Sequence, residues 1–488
     1  MTFAPRADGY EAVIGVETHV ELQTASKMFC GCRVDFGAAP NTTICPVCLG
    51  LPGALPVPNE KAIEGILRIG AALDCELVSY SEFSRKNYFY PDLPKNYQIS
   101  QYDLPLCING SIEIEVEGVV TTVGITRVHM EEDTGKSVHL SDGGRIHDAE
   151  HSLLDFNRSG VPLVEIVTEP DIRSAAEARA YGAELQRIVR TLGVSDARLE
   201  EGSMRFDANI SVRKAGDNIL GTRAEVKNVN SLRSVQRAIE FEVERQIVLV
   251  ESGGVVVQET RHWNEGRGAT SSMRSKEESE DYRYFQEPDL VPLDVDDARR
   301  AEIQASLPEL PAALRARLVN AGLDGRTASL VAGDPELVML FDAAEVAGAD
   351  PRTVGNWLTG EVVAFLRRED ISLAATSLEA GHLVELSAMV ADKSVSSTAA
   401  KDVLDGVMAG EGSPSEVAQA RDLLQISDAN VIEDAVTTVL AEHDDAVEKI
   451  RSGDMKPIGF LVGQVMRATG GKADPAMVQA LIREQAGS

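Results

Sequence analysis

The sequence predicts an α+β chain of several domains, in which a mixed domain built on an antiparallel sheet is followed by helical segments. Three observations predict it. Ile112-Glu-Ile-Glu-Val-Glu117 alternates strictly, Gly118 interrupts it, and Val119 to Met130 resumes as extended chain. That is the pattern of a hairpin with one buried face, which favours antiparallel pairing. Helical periodicity stands between strands over the first ~290 residues, and beyond about residue 300 strand-like alternation disappears. Length agrees, since 488 residues exceed one ordinary domain.

Each element has a local reason. Ser174-Ala-Ala-Glu177 is a capping box, and Ala178, Tyr181, Leu185, Ile188 and Leu192 keep helical spacing until Gly193. A second helix runs from about Leu232 through Val235, Ile239, Val243 and Val250 and stops at Gly253-Gly254. The polar run Gly266 to Asp281 is the longest candidate for a mobile loop. Glu411-Gly-Ser-Pro-Ser415 is the best candidate linker. Beyond it, helical stripes are carried by Ile432, Val436, Val439 and Leu440, then by Ile458, Leu461, Val462 and Val465. A last helix opens with Asp474-Pro475 as N-cap and first position, followed by Met477, Val478, Leu481 and Ile482. Three parts are expected: a mixed domain over 1–298, a helical domain over 299–410 and a small helical tail over 416–488.

Composition narrows the class. Hydrophobic content of 43% with 25% charged residues describes a globular chain with a full core. No apolar run approaches the ~18 residues of a membrane span. Met1 to Asp8 lacks a basic region followed by an apolar stretch, so a secretory signal is not expected and the reading is cytoplasmic. A net charge of −30 argues against non-specific nucleic-acid binding. Local surfaces differ: Arg205 to Arg237 holds seven Lys/Arg against three Asp/Glu, and Arg451 to the end holds five against three, so RNA contact would be confined to such patches.

Several residues carry candidate chemistry. In Ile14-Gly-Val-Glu17-Thr-His19-Val-Glu21-Leu22, read as a strand, Glu17, His19 and Glu21 share one face while Val16, Val20 and Leu22 share the other. A charged row facing solvent would look the same. Glu131-Glu132 at the end of the strand Ile125–Met130, and Glu165 inside the apolar run Val161-Pro-Leu-Val-Glu-Ile-Val167, change the weighing. A carboxylate in such a run needs a partner. A divalent cation, Mg²⁺ or Mn²⁺ holding nucleotide phosphates, is the simplest; a buried pair with an arginine such as Arg158 is the alternative. Arg85-Lys-Asn-Tyr-Phe-Tyr-Pro-Asp-Leu-Pro-Lys95-Asn-Tyr-Gln98 is rich in aromatic and cationic residues and reads as a nucleotide or phosphate pocket, with Lys86 and Lys95 as point charges, or else as a packed loop. Gly135-Lys136-Ser137 is not the end of a phosphate-binding loop, because Met130 stands where the pattern requires glycine. Cys30-x-Cys32 and Cys45-x-x-Cys48, with twelve residues between the pairs, are compatible with a structural tetrahedral Zn²⁺ site; unliganded buried thiols are the plain alternative.

Taken together, these segments resemble one family. Ile14 to Leu22, Lys86-Asn-Tyr-Phe-Tyr-Pro-Asp92, Tyr97-Gln-Ile-Ser-Gln-Tyr-Asp103, His129-Met-Glu-Glu-Asp-Thr-Gly-Lys-Ser137 and Leu163-Val-Glu-Ile-Val-Thr-Glu-Pro-Asp171 are similar to the GatB component of the heterotrimeric GatCAB amidotransferases. So are Glu200-Glu-Gly-Ser-Met-Arg205, Asp207-Ala-Asn-Ile-Ser211, Asp281-Tyr-Arg-Tyr-Phe285, Phe460-Leu-Val-Gly-Gln-Val-Met466 and Asp474-Pro475. The resemblance covers nearly the whole chain. It implies a glutamine-synthetase-like cradle domain, an all-α domain and a YqeY-like helical tail. It implies an ATP-dependent phosphorylation of the side-chain carboxylate of Glu-tRNA(Gln) or Asp-tRNA(Asn), followed by amidation with ammonia from a glutaminase partner.

By the same resemblance, Mg²⁺ is held by Glu17, His19, Glu131 and Glu165, with Glu132 as an alternative to Glu131. The partners implied are the amidase component GatA, the small component GatC and mischarged tRNA, the last touched by the tail, where Lys456, Arg467 and Lys472 are the candidate contacts. Gln286 stands where the family usually has proline, and Thr18 where it has an apolar residue. Two other readings compete: a stand-alone carboxylate–amine ligase, which has no use for the basic tail, and a non-catalytic tRNA adaptor, which leaves Glu17, His19 and Glu165 without a purpose.

Overall fold

A computed structural model describes residues 9–140, 151–229, 231–274, 282–425 and 429–487. The reading of Met1 to Asp8, and the Ser275 to Asp281 part of the supposed mobile loop, lie outside the described residues. The chain divides into two compact units, Met1–Pro311 and Ala312–Ser488.

The first unit is mixed α and β. Its elements begin with β1 (Tyr10–Glu21), α1 (Glu60–Ala72), β2 (Glu76–Leu77), β3 (Tyr80–Ser81), β4 (Ser84–Asn87) and β5 (Tyr97–Ser100). They continue with β6 (Cys107–Val116), β7 (Val119–Glu132), β8 (Lys136–His139), β9 (Ser152–Asp155), β10 (Pro162–Thr168), α2 (Ala175–Thr191) and β11 (Met204–Lys214). Then come β12 (Ala224–Val229), α3 (Leu232–Glu251), β13 (Thr260–Asn264), β14 (Ala269–Arg274), β15 (Phe285–Gln286), β16 (Leu293–Asp294) and α4 (Asp297–Ala305). Nine strands form one sheet in the order β14-β13-β12-β11-β1-β10-β7-β6-β2. The expected hairpin is β6–β7. The sheet is antiparallel except between β12 and β13, which run parallel. The helix α3 lies between them in sequence and supplies the crossover that a parallel pair requires. Residues 269–274, read in the sequence as loop, form the edge strand β14 instead.

Alternation along β1 decides which face of this sheet is core. Val16, Thr18 and Val20 are buried, and Glu17, His19 and Glu21 are only half-buried. The buried side packs with Tyr181, Leu185, Phe206, Ile210 and Ile239 in one apolar cluster. Thr18 keeps its hydroxyl satisfied there, 3.1 Å from the Tyr181 hydroxyl. Helix and sheet approach closely at Gly70, where an added Cβ would stand 2.3 Å from the Cys107 sulfur. The cap of α2 differs in detail from a capping box. The Ser174 hydroxyl accepts from the Glu177 amide, but the Glu177 carboxylate accepts from the Arg173 amide, one residue further out.

In the second unit the described elements are helices joined by turns. Two apolar clusters occur in it, one spanning Leu314 to Ala418 and one spanning Ile432 to Ala486. The segment expected to be a linker is not one. Ser413 caps a helix, Pro414–Ala420, whose Val417 and Ala418 are buried in the earlier cluster. Serine before proline is a helix start as well as a loop signal, and burial of the following residues decides between them.

Candidate active site

The half-buried face of the sheet brings distant residues into rows, because residues opposite one another in a ladder point to the same side. His129 on β7 pairs with Glu165 on β10, Glu165 with His19 on β1, and His19 with Arg205 on β11. One row over, Glu17 faces Asp207. The His19 Nε2 lies 3.6 Å from a Glu165 oxygen and 3.9 Å from a Glu131 oxygen. The His129 Nε2 lies 3.3 Å from Glu165 and 3.9 Å from Glu131. One donor atom from each of His19, Glu131 and Glu165 falls within 4.8 Å of the others.

The sheet of β15, β4 and β5 adds further groups from one side. Lys86 on β4 stands 3.3 Å from the Glu131 carboxylate. Gln98, its partner on β5, donates to the other Glu131 oxygen at 3.2 Å, and the Ser100 hydroxyl lies 3.3 Å away. Tyr282 lies under the Lys86 ammonium at 5.2 Å, and Tyr284 stacks on Tyr102 at 4.2 Å. A cavity of about 300 Å³ opens above these groups, lined by His19, Lys86, Glu131, Arg158, Arg205, Asp207 and Lys227.

Electrostatics sets the protonation. Burial alone would lower the His19 imidazole, but its hydrogen bond to Glu165 and the charges of Glu165, Asp207 and Glu131 override this and raise its pKa to about 9. Burial pushes Glu165 up, and His129 and His19 outweigh it, holding the carboxyl well below its ordinary value. Glu17 is raised, by burial first and then by Glu165. So many converging carboxylates call for positive charge, which a proton on His19 supplies in the bare protein. The His129 Nδ1 is buried without a hydrogen-bond partner among the described residues. Two carboxylates and an imidazole converging on one point fit a hard divalent cation.

Other predicted residues fall elsewhere. Glu17 is not in the His19 group; it accepts from Asn209 at 2.9 Å and clusters with Asp207 and Glu225. Lys227, 3.1 Å from both Asp207 and Glu225, offsets part of the charge of that cluster. Glu132 turns away from His19, accepting from the Ile99 amide at 2.9 Å and pairing with Lys95. Lys95 is therefore a buried partner of Glu132, in a separate cavity that also borders Cys30 and Cys48. Arg158, the alternative partner for Glu165, instead lies 3.7 Å from Asp133 and donates to the Thr134 and Gly135 carbonyls. Sequence reasoning passed over His129, Asp207 and Arg205 as site residues although all three stand in the quoted motifs. Strand parity around Glu131 was the signal that would have found His129; Arg205 and Asp207 had none, because only the ladder register sets β11 beside β1.

Cys30, Cys32, Cys45 and Cys48 form a second group, one sulfur from each lying within 4.8 Å of the others, and none is in a disulfide. The Cys45 amide donates to the Cys48 sulfur at 3.1 Å. Hydrogen bonding from Cys30 leads the effects that lower Cys48 to about 5, against burial and with help from Lys27. Four converging sulfurs fit tetrahedral Zn²⁺. In the tail, Lys456 and Arg467 are exposed, while Lys472 pairs with Asp422.

The chain is similar to known proteins along nearly its whole length. Residues 12–301 match the family described as the GatB/GatE catalytic domain, and residues 339–485 match the GatB domain. The B component of the aspartyl/glutamyl-tRNA(Asn/Gln) amidotransferase of Frankia casuarinae is 51% identical, over 98% of this chain and 96% of its own length. The same component from Synechocystis sp. and from Moorella thermoacetica is 48% identical in each case, over 99% and 98% of this chain and 99% of theirs. With both segments matched and full-length relatives near half identity, the chain belongs to the GatB family.

Proposed function

We propose that this chain is the kinase-type component of a glutamine-dependent tRNA amidotransferase, an ATP-dependent carbon–nitrogen ligase of the translation machinery in the cytoplasm. Its substrate is the side-chain carboxylate of Glu-tRNA(Gln), Asp-tRNA(Asn) or both. A carboxylate oxygen attacks the γ-phosphorus of ATP, the bond to the β-phosphate oxygen breaks, and ADP leaves. Ammonia, made from glutamine by the amidase GatA in a complex with the small GatC, then displaces phosphate to give the amide. The observation that carries this reading is the convergence of His19, Glu131 and Glu165 beside Lys86 at one cavity.

His19, Glu131 and Glu165 are the residues to hold Mg²⁺, and Glu17, two residues from His19 on the same face of β1, adds negative charge from the neighbouring row. When bound, that ion neutralises and orients phosphate oxygens. The chain's own groups do the rest. Lys86 offers a point charge to a phosphate oxygen, and Glu131 fixes where that charge stands. Gln98 and Ser100 hold the Glu131 carboxylate in place. The Cys30, Cys32, Cys45 and Cys48 knuckle holds Zn²⁺ structurally, away from the cavity. Residues 1–298 form the catalytic cradle, 299–410 a helical domain, and 416–488 the YqeY-like tail that contacts tRNA through Lys456, Arg467 and Lys472. The test is ADP release by the purified complex with mischarged, correctly charged and uncharged tRNA. Release confined to mischarged tRNA supports the reading; release indifferent to the aminoacyl group overturns it.

A further inference from the structure

Among the described residues four cationic side chains line the cavity above His19, each with a partner of its own. Lys86 stands against Glu131, Lys227 against Asp207 and Glu225, and Arg158 donates to two backbone carbonyls. Arg205 differs. Its Nη2 donates to Asp133 at 3.0 Å, and its remaining N–H groups have no hydrogen-bond partner among the described residues. Its side chain keeps 31% exposure while Asp133 keeps 6%, so the guanidinium is anchored at Asp133 while its remaining N–H groups stay free of hydrogen bonds beside the cavity, where the charges of Glu21 and Asp207 also act on it.

We infer that Arg205 receives the acceptor carboxylate of the aminoacyl group and positions it for attack on the γ-phosphorus, which rests on the function proposed above. The row across the sheet supplies the placement. Arg205 pairs with His19, which pairs with Glu165, so the guanidinium lies one strand from the group that would organise phosphate. Directly opposed side chains in antiparallel strands stand ~5 Å apart at Cβ, which leaves a carboxylate on Arg205 within reach of a phosphoryl group at His19. A guanidinium fork matches a planar carboxylate with two parallel hydrogen bonds, which an ammonium such as Lys86 does not. Anchoring by Asp133 fixes the fork before substrate arrives. The carboxamide product carries no charge, so the same contact holds mischarged tRNA and lets the product go.

The experiment uses the complex purified with its partners, in three forms: unaltered, Arg205→Lys, and the double variant Arg205→Met with Asp133→Asn, which removes the anchoring carboxylate together with the guanidinium; Tm is read on each form, because Glu21 also loses the Arg205 charge. ADP release is measured against mischarged tRNA and against ATP, and affinity is measured for uncharged tRNA. The double variant should lose ~10- to 100-fold in kcat/KM for mischarged tRNA, with KM for ATP within ~3-fold and uncharged-tRNA affinity unchanged. Arg205→Lys should lose less, because it keeps the charge and loses the fork. A rise in KM for ATP matching the loss of activity would assign Arg205 to the nucleotide and overturn the proposal. So would mischarged-tRNA kinetics within ~3-fold of the unaltered complex in both variants. If the unaltered complex releases no ADP on adding mischarged tRNA, the proposed function fails first, and Arg205 loses its role with it.

Discussion

Two of the three groups of converging ligand side chains among the described residues of the first unit are built in opposite ways. Cys30, Cys32, Cys45 and Cys48 come from one short stretch outside the main sheet, where turns bring the sulfurs together. His19, Glu131 and Glu165 come from β1, β7 and β10, which meet only when the sheet forms. Thiolates on a loop bind a metal that holds the loop; carboxylates on paired strands are held by the sheet whether or not a metal arrives. The first arrangement makes structure depend on the ion, and the second makes the ion depend on structure.

The largest effect should come from the sheet-borne group. We expect Glu165→Gln to reduce tRNA-dependent ADP release by ~1,000-fold or more, as loss of an essential charge in phosphoryl transfer does. Its Tm should move little, because the side chain keeps its volume. ADP release near the unaltered level would remove Glu165 from the site. The knuckle should behave in reverse. Elemental analysis should give one zinc per chain. Cys48→Ser should lose it and lower Tm measurably. A zinc-free purified protein with all six thiols titratable would leave the knuckle without a metal.

The lysines sharpen the contrast. Lys86→Met should cost activity with a smaller loss of stability, since Lys86 borders the cavity and the His19 imidazole, 3.9 Å away, still faces Glu131. Lys95→Met should cost stability instead, ~3 kcal/mol or more, because it strands Glu132 as a buried charge. Denaturant unfolding and ADP release on both variants separate the two roles, and equal effects would erase the distinction. The smallest effect belongs to the tail. Lys456→Ala with Arg467→Ala should weaken tRNA binding a few-fold and flatten its salt dependence by ~1–2 units of slope. Lys472→Ala should do less, because Asp422 already engages that lysine. A tRNA titration at two salt concentrations decides; an unchanged slope would remove the two exposed residues from the RNA contact.

What could be read in the chain followed the reach of each signal. The β6–β7 hairpin, α2 and α3 were legible because alternation, caps and terminal glycines act over a few residues. The linker was misread because Gly-Ser-Pro also opens a helix, and only the burial of Val417 and Ala418 distinguishes the two. In the site, Glu17, His19 and Glu165 stood out as charge in apolar strands, and the paired cysteines declared themselves by spacing.

The sequence by itself determined which residues share a strand face, which thiols can share a knuckle, and which family's motifs the chain carries. Tertiary structure alone decided the partnerships. Strand parity puts Glu17 and His19 on one face, but ladder register assigns His19 to Glu165 and Arg205, and Glu17 to Asp207. Adjacent carboxylates look alike in sequence, yet Glu131 meets Lys86 at the cavity and Glu132 meets Lys95 beneath the knuckle. Register depends on hydrogen bonds between strands far apart in the chain, and no local pattern encodes them.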